Sequence, residues 1–255
     1  MKKKLTVFLA AAMVFALTAC SGGNEAKAVY DDATKKTSEL TSIEATSLID
    51  MKMAQGKDEE NVTMDLDMKM VDLNTENMRY LAEGKTSVMG QNVDLSMYYE
   101  GGYYYMETAG QKIKYAMDLD EMMKQIKQST ENTMDSSYMK KLAVKKDGEN
   151  QVLTFTVDAS KMETFAKQIM EQLGTGAEGV TYTIKSVDGE ATVNKDGYIT
   201  AQKVNLSMEM TLEGQTITID MVTDTTYKNP GQPVEVTAPD LEGYTEVDPS
   251  ALQAQ

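Results

Sequence analysis

The feature that most constrains this fold is a strict alternation of apolar and polar residues over long stretches of chain. Between Val62 and Met70 every second residue is valine, leucine or methionine, and most residues between them are charged. Successive side chains of a strand point to opposite faces, so this pattern predicts a long β-strand with one apolar and one charged face. The alternation recurs at Ile49–Met53, Val93–Tyr99 and Leu206–Met210. The chain is therefore predicted to be built around amphipathic strands.

Glycine-bearing turns between the alternating stretches predict an antiparallel meander. The pair Gly101-Gly102 separates two tyrosine-rich stretches, and glycine supplies the positive φ that a tight hairpin turn needs. In the second half, Asp188-Gly189 is predicted to be a turn, and so is Asp196-Gly197. The predicted strands there lie at residues 143–145, 153–157, 180–187, 191–194, 198–212 and 216–227.

Three stretches with helical spacing interrupt the meander. The first helix is predicted to run from about Glu25 to Leu40. The second stretch is predicted to hold helical segments at Met122–Ile126 and Tyr138–Leu142, separated by the polar loop Gln128–Asp135. The third is predicted to begin with Ser160 as its N-cap and to stop at Gly174.

The order of helix and then meander occurs twice, in residues 25–117 and 160–227. A duplicated ancestor and a repeated strand pattern both explain this likeness. Either way, the predicted fold class is α+β, with one large, curved antiparallel sheet and helices packed on its concave face, in a single domain at residues 25–229. Residues 230–255 hold all four prolines and are predicted to be a tail with an edge strand at Val234–Thr237 and disorder beyond it.

The N-terminus has the composition of an export signal. Lys2–Lys4 precede the apolar run Leu5–Ala16, which is shorter than the roughly 20 apolar residues that a membrane span needs. The following Leu17-Thr18-Ala19-Cys20 resembles the lipobox of bacterial lipoproteins. This resemblance implies that residues 1–19 are a signal peptide and that Cys20 is lipidated, followed by a tether at residues 20–24. Two or more acyl chains on Cys20 would anchor the protein stably to the extracytoplasmic face of a bacterial cell membrane. The alternative is a short buried helix with a chance cysteine.

The charge of the chain excludes several classes of partner. The formal net charge is −15, and loss of the three signal-peptide lysines would move it to about −18. Such an acidic surface repels nucleic acid and anionic lipid headgroups. The sequence has no histidine and a single cysteine, so the usual general base, metal ligand and disulfide are missing. We therefore expect no enzyme activity and no cofactor.

The methionines and carboxylates allow a weaker metal-binding interpretation. The pairs Met51/Met53, Met68/Met70 and Met208/Met210 hold thioethers, which favour Cu(I), but residues i and i+2 of a strand also share its apolar face. Asp118, Asp120 and Glu121 lie close together, and so do Asp65 and Asp67, yet neither group matches an EF-hand loop. The tyrosines at 98–99 and 103–105 are predicted to point to both faces of their hairpin. We expect no metal site and interpret these residues as structural or ligand-lining.

The sheet, its helices and the lipobox together resemble the half-open β-barrel lipoproteins, which include LolA-like localisation factors and mycobacterial lipid carriers. In its pattern of strands and helices the chain is similar to uncharacterised Gram-positive surface lipoproteins. The resemblance implies that the concave apolar face receives an acyl chain or lipid. The predicted lining shares the apolar parity of its strands and consists of Met64, Leu66, Met68, Leu95, Met97, Tyr99, Leu206, Met208, Ile217 and Ile219.

Two functions remain open at this point. The first is an anchored lipoprotein that binds or transfers a hydrophobic ligand in a β-cleft. The alternative is a non-catalytic surface protein with a fully packed core, which acts on a cell-wall or protein partner through its acidic surface. The expected partners are the membrane, through Cys20, and a lipid ligand, with no nucleic acid and no identified protein partner.

Overall fold

The alternating stretches form a single large sheet. In the computed structural model, residues 22–248 are described, apart from residues 74, 76, 89, 118–135, 164–179 and 213. One long helix, α1, spans Gly22–Ser38, and a second helix begins at residue 159. The strands are β1 (Ser42–Gln55), β2 (Asp58–Val71), β3 (Arg79–Val88), β4 (Gln91–Glu100), β5 (Tyr103–Thr108), β6 (Gln111–Ala116), β7 (Met139–Asp147), β8 (Asn150–Val157), β9 (Val180–Val193), β10 (Ile199–Leu212), β11 (Gln215–Tyr227) and β12 (Thr245–Glu246).

The strand order shows two meanders joined edge to edge. Hydrogen bonds connect the twelve strands in the order β12-β6-β5-β4-β3-β2-β1-β11-β10-β9-β8-β7, and the described strands do not close into a ring. All neighbours are antiparallel except the short β12–β6 pair. At the centre β1 pairs with β11, from Ala45 opposite Tyr227 to Ala54 opposite Thr218. The predicted large antiparallel sheet is confirmed, and its origin by duplication stays a prediction.

The pairing register keeps the apolar residues of neighbouring strands on one face. Met68 lies opposite Ala45 of β1 and Ala82 of β3, and Ala82 lies opposite Met97 of β4. Directly opposed residues point to the same side, so all these residues share a face. We call this side the apolar face and the opposite, charged side, which carries Asp67, the outer face.

Helix α1 packs on the apolar face over β7–β10 and forms the main core there. Its residues Ala26, Tyr30 and Ala33 are buried against a cluster that includes Leu153 and Phe155. The Tyr30 and Phe155 rings meet edge-on, with centroids 6.4 Å apart. Full burial of side chains of this size stabilises the fold by about 1.5–3 kcal/mol each. Helices packed on the concave face of the sheet were predicted; the position of α1 over β7–β10 was not, and the concavity of this face stays a prediction.

The predicted helical segment Tyr138–Leu142 is wrong. Only Ser136–Tyr138 is helical, as a 3₁₀ turn, and β7 begins at Met139. Leu142 lies opposite Phe155 of β8, and Val144 lies opposite Leu153, so apolar residues two positions apart bury the same face of the sheet. The segment Met122–Ile126 and the loop Gln128–Asp135 lie outside the described residues.

The predicted N-cap Ser160 is also wrong by two residues. The carboxylate of Asp158 accepts hydrogen bonds from the Ser160 backbone N–H at 3.1 Å and from the Ser160 hydroxyl at 2.7 Å. The helix begins at residue 159, so Asp158 is the capping residue. Aspartate and serine are both common capping residues, because their side-chain oxygens accept hydrogen bonds from free backbone N–H groups. The sequence alone therefore did not decide between Asp158 and Ser160. The predicted end of this helix at Gly174 lies outside the described residues.

The predicted turn at Asp188-Gly189 does not exist, because β9 runs unbroken from Val180 to Val193. A Cβ atom on Gly189 would lie 2.2 Å from the carbonyl oxygen of Lys203 and 2.7 Å from Cζ of Phe155. Glycine is therefore needed here for a close approach of backbone and ring, which is its other common role within strands. The predicted turn at Asp196-Gly197 is confirmed by a φ of +83° at Gly197.

The C-terminal tail crosses the outer face. No strand forms at Val234–Thr237, which corrects that prediction. Instead Val236 is buried against Val71 and Tyr98, and its carbonyl oxygen accepts a 3.2 Å hydrogen bond from Arg79 Nη1. The edge strand is β12, which pairs with β6 through Thr245 and Ile113. The tail thus covers an apolar spot on an otherwise charged face, and residues 249–255 lie outside the described residues.

Burial of Tyr98 is expected to make the folded protein less stable at alkaline pH. Burial, followed by the negative charge of Glu100, raises the pKa of Tyr98 from 10.0 to about 12. The unfolded state loses this proton first, so the free energy of unfolding is expected to fall as pH rises from 10 to 12, by up to about 3 kcal/mol for this residue. Urea denaturation at pH 8, 10 and 11.5 measures the fall. Tyr98→Phe should make it smaller, and an equal fall in this variant would contradict the assignment.

Candidate functional site

All ten residues predicted to line a ligand site point to the apolar face. Leu66 of β2 lies opposite Gly84, and Gly84 lies opposite Leu95 of β4. On the other half of the sheet, Met208 lies opposite Ile219. The two halves meet through β1 and β11, so the register brings the ten residues together on one continuous surface. Their contact with a ligand stays a prediction.

Sequence reasoning missed the residues at the middle of this surface. Between the two predicted groups lie the inward-facing residues of β1 and β11. The large apolar residues among them that were not predicted to line the site include Ile49, Met51, Met53 and Met221. The alternation marked their parity, but strand order was needed to place β1 beside β11. With them the apolar face is methionine-rich without interruption from β2 to β10.

The predicted lining residues differ in burial. Leu66 and Tyr99 are buried, with 6% and 2% of their surfaces exposed. Leu206 is half-buried and packs against the core cluster under α1. Met64, Met68, Met97 and Met208 are half-buried as well. The methionines thus combine partial exposure with flexible, polarisable side chains, which adapt to apolar surfaces of variable shape.

Two strand glycines allow a close approach between neighbouring strands. A Cβ atom on Gly84 of β3 would lie 1.9 Å from the carbonyl oxygen of Asp65 on β2. Gly189 of β9 makes the equivalent approach to β10. Both positions have the parity of the apolar face. Glycines at such positions are a known means of curving a sheet.

Four tyrosines form a row across β3–β6 at one end of the apolar face. Tyr80 lies opposite Tyr99, Tyr99 opposite Tyr104, and Tyr104 opposite Tyr115. The rings of Tyr104 and Tyr115 have centroids 5.4 Å apart. Burial raises the pKa of Tyr80, of Tyr104 and of Tyr115 above the usual 10.0, so these phenols stay protonated at neutral pH. We call these four residues the tyrosine row.

The apolar face carries almost no charge. Among the described positions of β1–β6, β10 and β11 that point to it, the charged residues are Asp58 and Glu60, at the β1–β2 hairpin. Asp65 and Asp67 have the opposite parity and lie on the outer face. No group of three or more His, Cys, Asp or Glu side chains in the described part of the chain could hold a metal ion. Asp118, Asp120 and Glu121 lie outside that part.

A cavity of about 380 Å³ lies away from the predicted lining. It opens between the end of α1, the start of β1 and the tail, and its walls include Leu40, Val71, Tyr198 and Pro233. Its size is within the range of small-molecule sites. None of the ten predicted residues contributes to it, so this cavity belongs to the junction of the tail with the sheet.

The chain belongs to DUF6612, a family of unknown function, whose match covers residues 25–241. No curated protein matches the sequence. The matched region contains α1 from Glu25 onward, the strands β1–β11 and the part of the tail that packs on the outer face. Cys20 and the predicted signal peptide lie before it and outside the described residues. No helix among the described residues is long and apolar enough to cross a membrane.

Several solved structures are similar to this chain at low sequence identity. LprF from Mycobacterium bovis is 13% identical, with coverage of 86% of this chain and 98% of that chain and a TM-score of 0.44. The Mycobacterium tuberculosis lipoprotein LppX is 12% identical, with coverage of 84% and 100% and a TM-score of 0.45. A LolA superfamily protein from Nitrosomonas europaea is 9% identical, with coverage of 82% and 94% and a TM-score of 0.24.

Proposed function

We propose that this protein is a membrane-anchored lipoprotein that binds or transfers a hydrophobic ligand, a lipid or acyl chain, on its apolar face. The observation that carries this proposal is the shared face of the methionine-rich strands, on which Met64, Met68, Met97 and Met208 are half-buried. The anchor would be the acylated Cys20, on the extracytoplasmic side of a bacterial membrane.

The dimensions of the apolar face suit an acyl chain. From Met70 to Glu60 the strand β2 advances by about 33 Å, at roughly 3.3 Å per residue. An acyl chain spans about half of the hydrocarbon core of a bilayer, or about 15 Å. One chain therefore fits along the strands without reaching the acidic hairpin. Each buried CH₂ group would contribute about 0.8 kcal/mol to binding.

Native mass spectrometry tests this proposal. The chain from Ser21 onward, which contains every described helix and strand, is purified from cells without detergent. We expect an added mass that organic extraction removes and that is identified as lipid. A clean mass of the protein alone, unchanged after incubation with mixed membrane lipids, would refute the proposal and favour the surface interaction protein with a packed core.

A second measurement addresses the weaker metal-binding interpretation. Titration of the same protein with Cu(I) and with Ca²⁺ is expected to show no specific binding. We interpret the methionine pairs as part of the apolar surface and the acidic residues of the outer face as solvated surface charges. Saturable binding of either ion at micromolar concentration would contradict this expectation.

A further inference from the structure

Three tyrosines of the row are half-buried, namely Tyr80, Tyr104 and Tyr115. Among the described residues, their hydroxyls have no hydrogen-bond partner. Neighbouring strands are about 4.8 Å apart, so the row of four tyrosines spans about 14 Å. A half-buried phenol that stays protonated offers one donor and acceptor oxygen on an apolar ring. The row therefore joins a methionine surface to a line of uncharged polar groups.

The charge around the row indicates what it can recognise. On the apolar face the charged residues of β1–β6, among the described positions, are Asp58 and Glu60. They lie at the opposite end of β2, about 33 Å (Glu60) and about 40 Å (Asp58) from the level of Tyr80, at roughly 3.3 Å per residue. No cationic side chain of these strands points to the row from this face, because Lys112 and Lys114 have the parity of the outer face. A phosphate or carboxylate placed here would lose its hydration without gaining a counter-charge.

Resting on the proposed function, we infer that the tyrosine row binds the uncharged polar head of a neutral acylglycerol, whose acyl chains lie on the methionine surface. Ester carbonyl oxygens would accept hydrogen bonds from the phenols, and a free glycerol hydroxyl would donate to a phenol oxygen. The net charge of −15 acts in the same direction, since it disfavours anionic lipids over neutral ones.

Competition against a fluorescent apolar probe tests this inference. N-phenyl-1-naphthylamine reports on the apolar face, and dioleoylglycerol, dioleoylphosphatidylglycerol and oleate are the competitors. Dioleoylglycerol is expected to displace the probe at concentrations at least tenfold lower than the two anionic lipids. In the triple variant Tyr80→Phe, Tyr104→Phe, Tyr115→Phe, dioleoylglycerol should displace the probe only at concentrations at least about tenfold higher, because each lost hydrogen bond weakens its binding several-fold. Binding of the probe itself should be unchanged.

The matched control uses the outer face of the same hairpin. Tyr103, Tyr105 and Tyr244 have ring contacts with one another on that face, so Tyr103→Phe, Tyr105→Phe, Tyr244→Phe removes three hydroxyls of the same kind. This variant should keep the preference for dioleoylglycerol. Equal displacement by neutral and anionic lipids, or equal loss in both variants, would overturn the inference while leaving the lipid-binding function intact. Absence of probe binding together with no competition by any lipid would instead refute the proposed function.

Discussion

Aspartate at positions 68 and 208 is expected to abolish retention of the hydrophobic ligand. Met68 is paired with Ala45 and Ala82, and Met208 is paired with Ile219. The carboxylate of each new aspartate would therefore lie in apolar surroundings, one on each half of the apolar face. A carboxylate without a partner in such a place costs several kcal/mol if it stays charged. Because the proposed acyl chain would bind through its contact with this surface, native mass spectrometry of Met68→Asp, Met208→Asp should show protein without added lipid.

A control on the outer face separates loss of ligand from loss of fold. Leu48 is 52% exposed and lies on the outer face of β1, so Leu48→Asp makes the same chemical change away from the proposed site. This variant should retain the ligand. A milder pair, Met68→Gln and Met208→Gln, keeps the folded state accessible if the double aspartate variant unfolds. A folded glutamine or aspartate variant that still carries lipid in native mass spectra would show that this lining is wrong.

The alternation of apolar and polar residues was sufficient to predict most of the sheet. Period-two patterns set the parity of each strand, and the register then placed all ten predicted lining residues on one face. Strand order was beyond this reasoning. The pairing of β1 with β11 joins residues more than 160 positions apart, and no local pattern specifies such a contact. For this reason Met51 and Met221 were not recognised as the centre of the apolar face.

Local signals with two physical meanings account for the other errors. The pair Asp-Gly favours a turn, but a glycine within a strand also permits close packing. At Gly189 the glycine serves close packing, because the ring of Phe155 and the backbone of Lys203 leave no room for a side chain. Leu142 suits a helix or a strand, and its place opposite Phe155 selects the strand. The tail is a similar case, since Val236 becomes buried through contacts with Val71 and Tyr98, which are distant in sequence.

The close approach of β2 and β3 depends on Gly84. A Cβ atom there would lie 1.9 Å from the carbonyl oxygen of Asp65 and 3.0 Å from Cα of Leu66, both on the backbone of β2. Backbone atoms in a paired strand cannot move aside as a flexible side chain can, so β2 and β3 would have to separate or the sheet to flatten. Without this contact, alanine would stabilise a strand relative to glycine by roughly 0.5–1 kcal/mol. The contact is therefore expected to reverse the sign of the effect.

We expect Gly84→Ala to lower the free energy of unfolding by about 3 kcal/mol or more, at the upper end of the cost of overpacking a core. Urea denaturation measures the change, and native mass spectrometry of any folded fraction should show less bound lipid because a flatter sheet leaves a less enclosed surface. Gly23→Ala in α1 is the control, since a Cβ atom at Gly23 meets nothing within 4 Å and alanine favours the helix. Its stability should be unchanged or raised by up to about 1 kcal/mol. If Gly84→Ala were as stable as Gly23→Ala, the close approach of β2 and β3 would not be the reason that position 84 needs glycine.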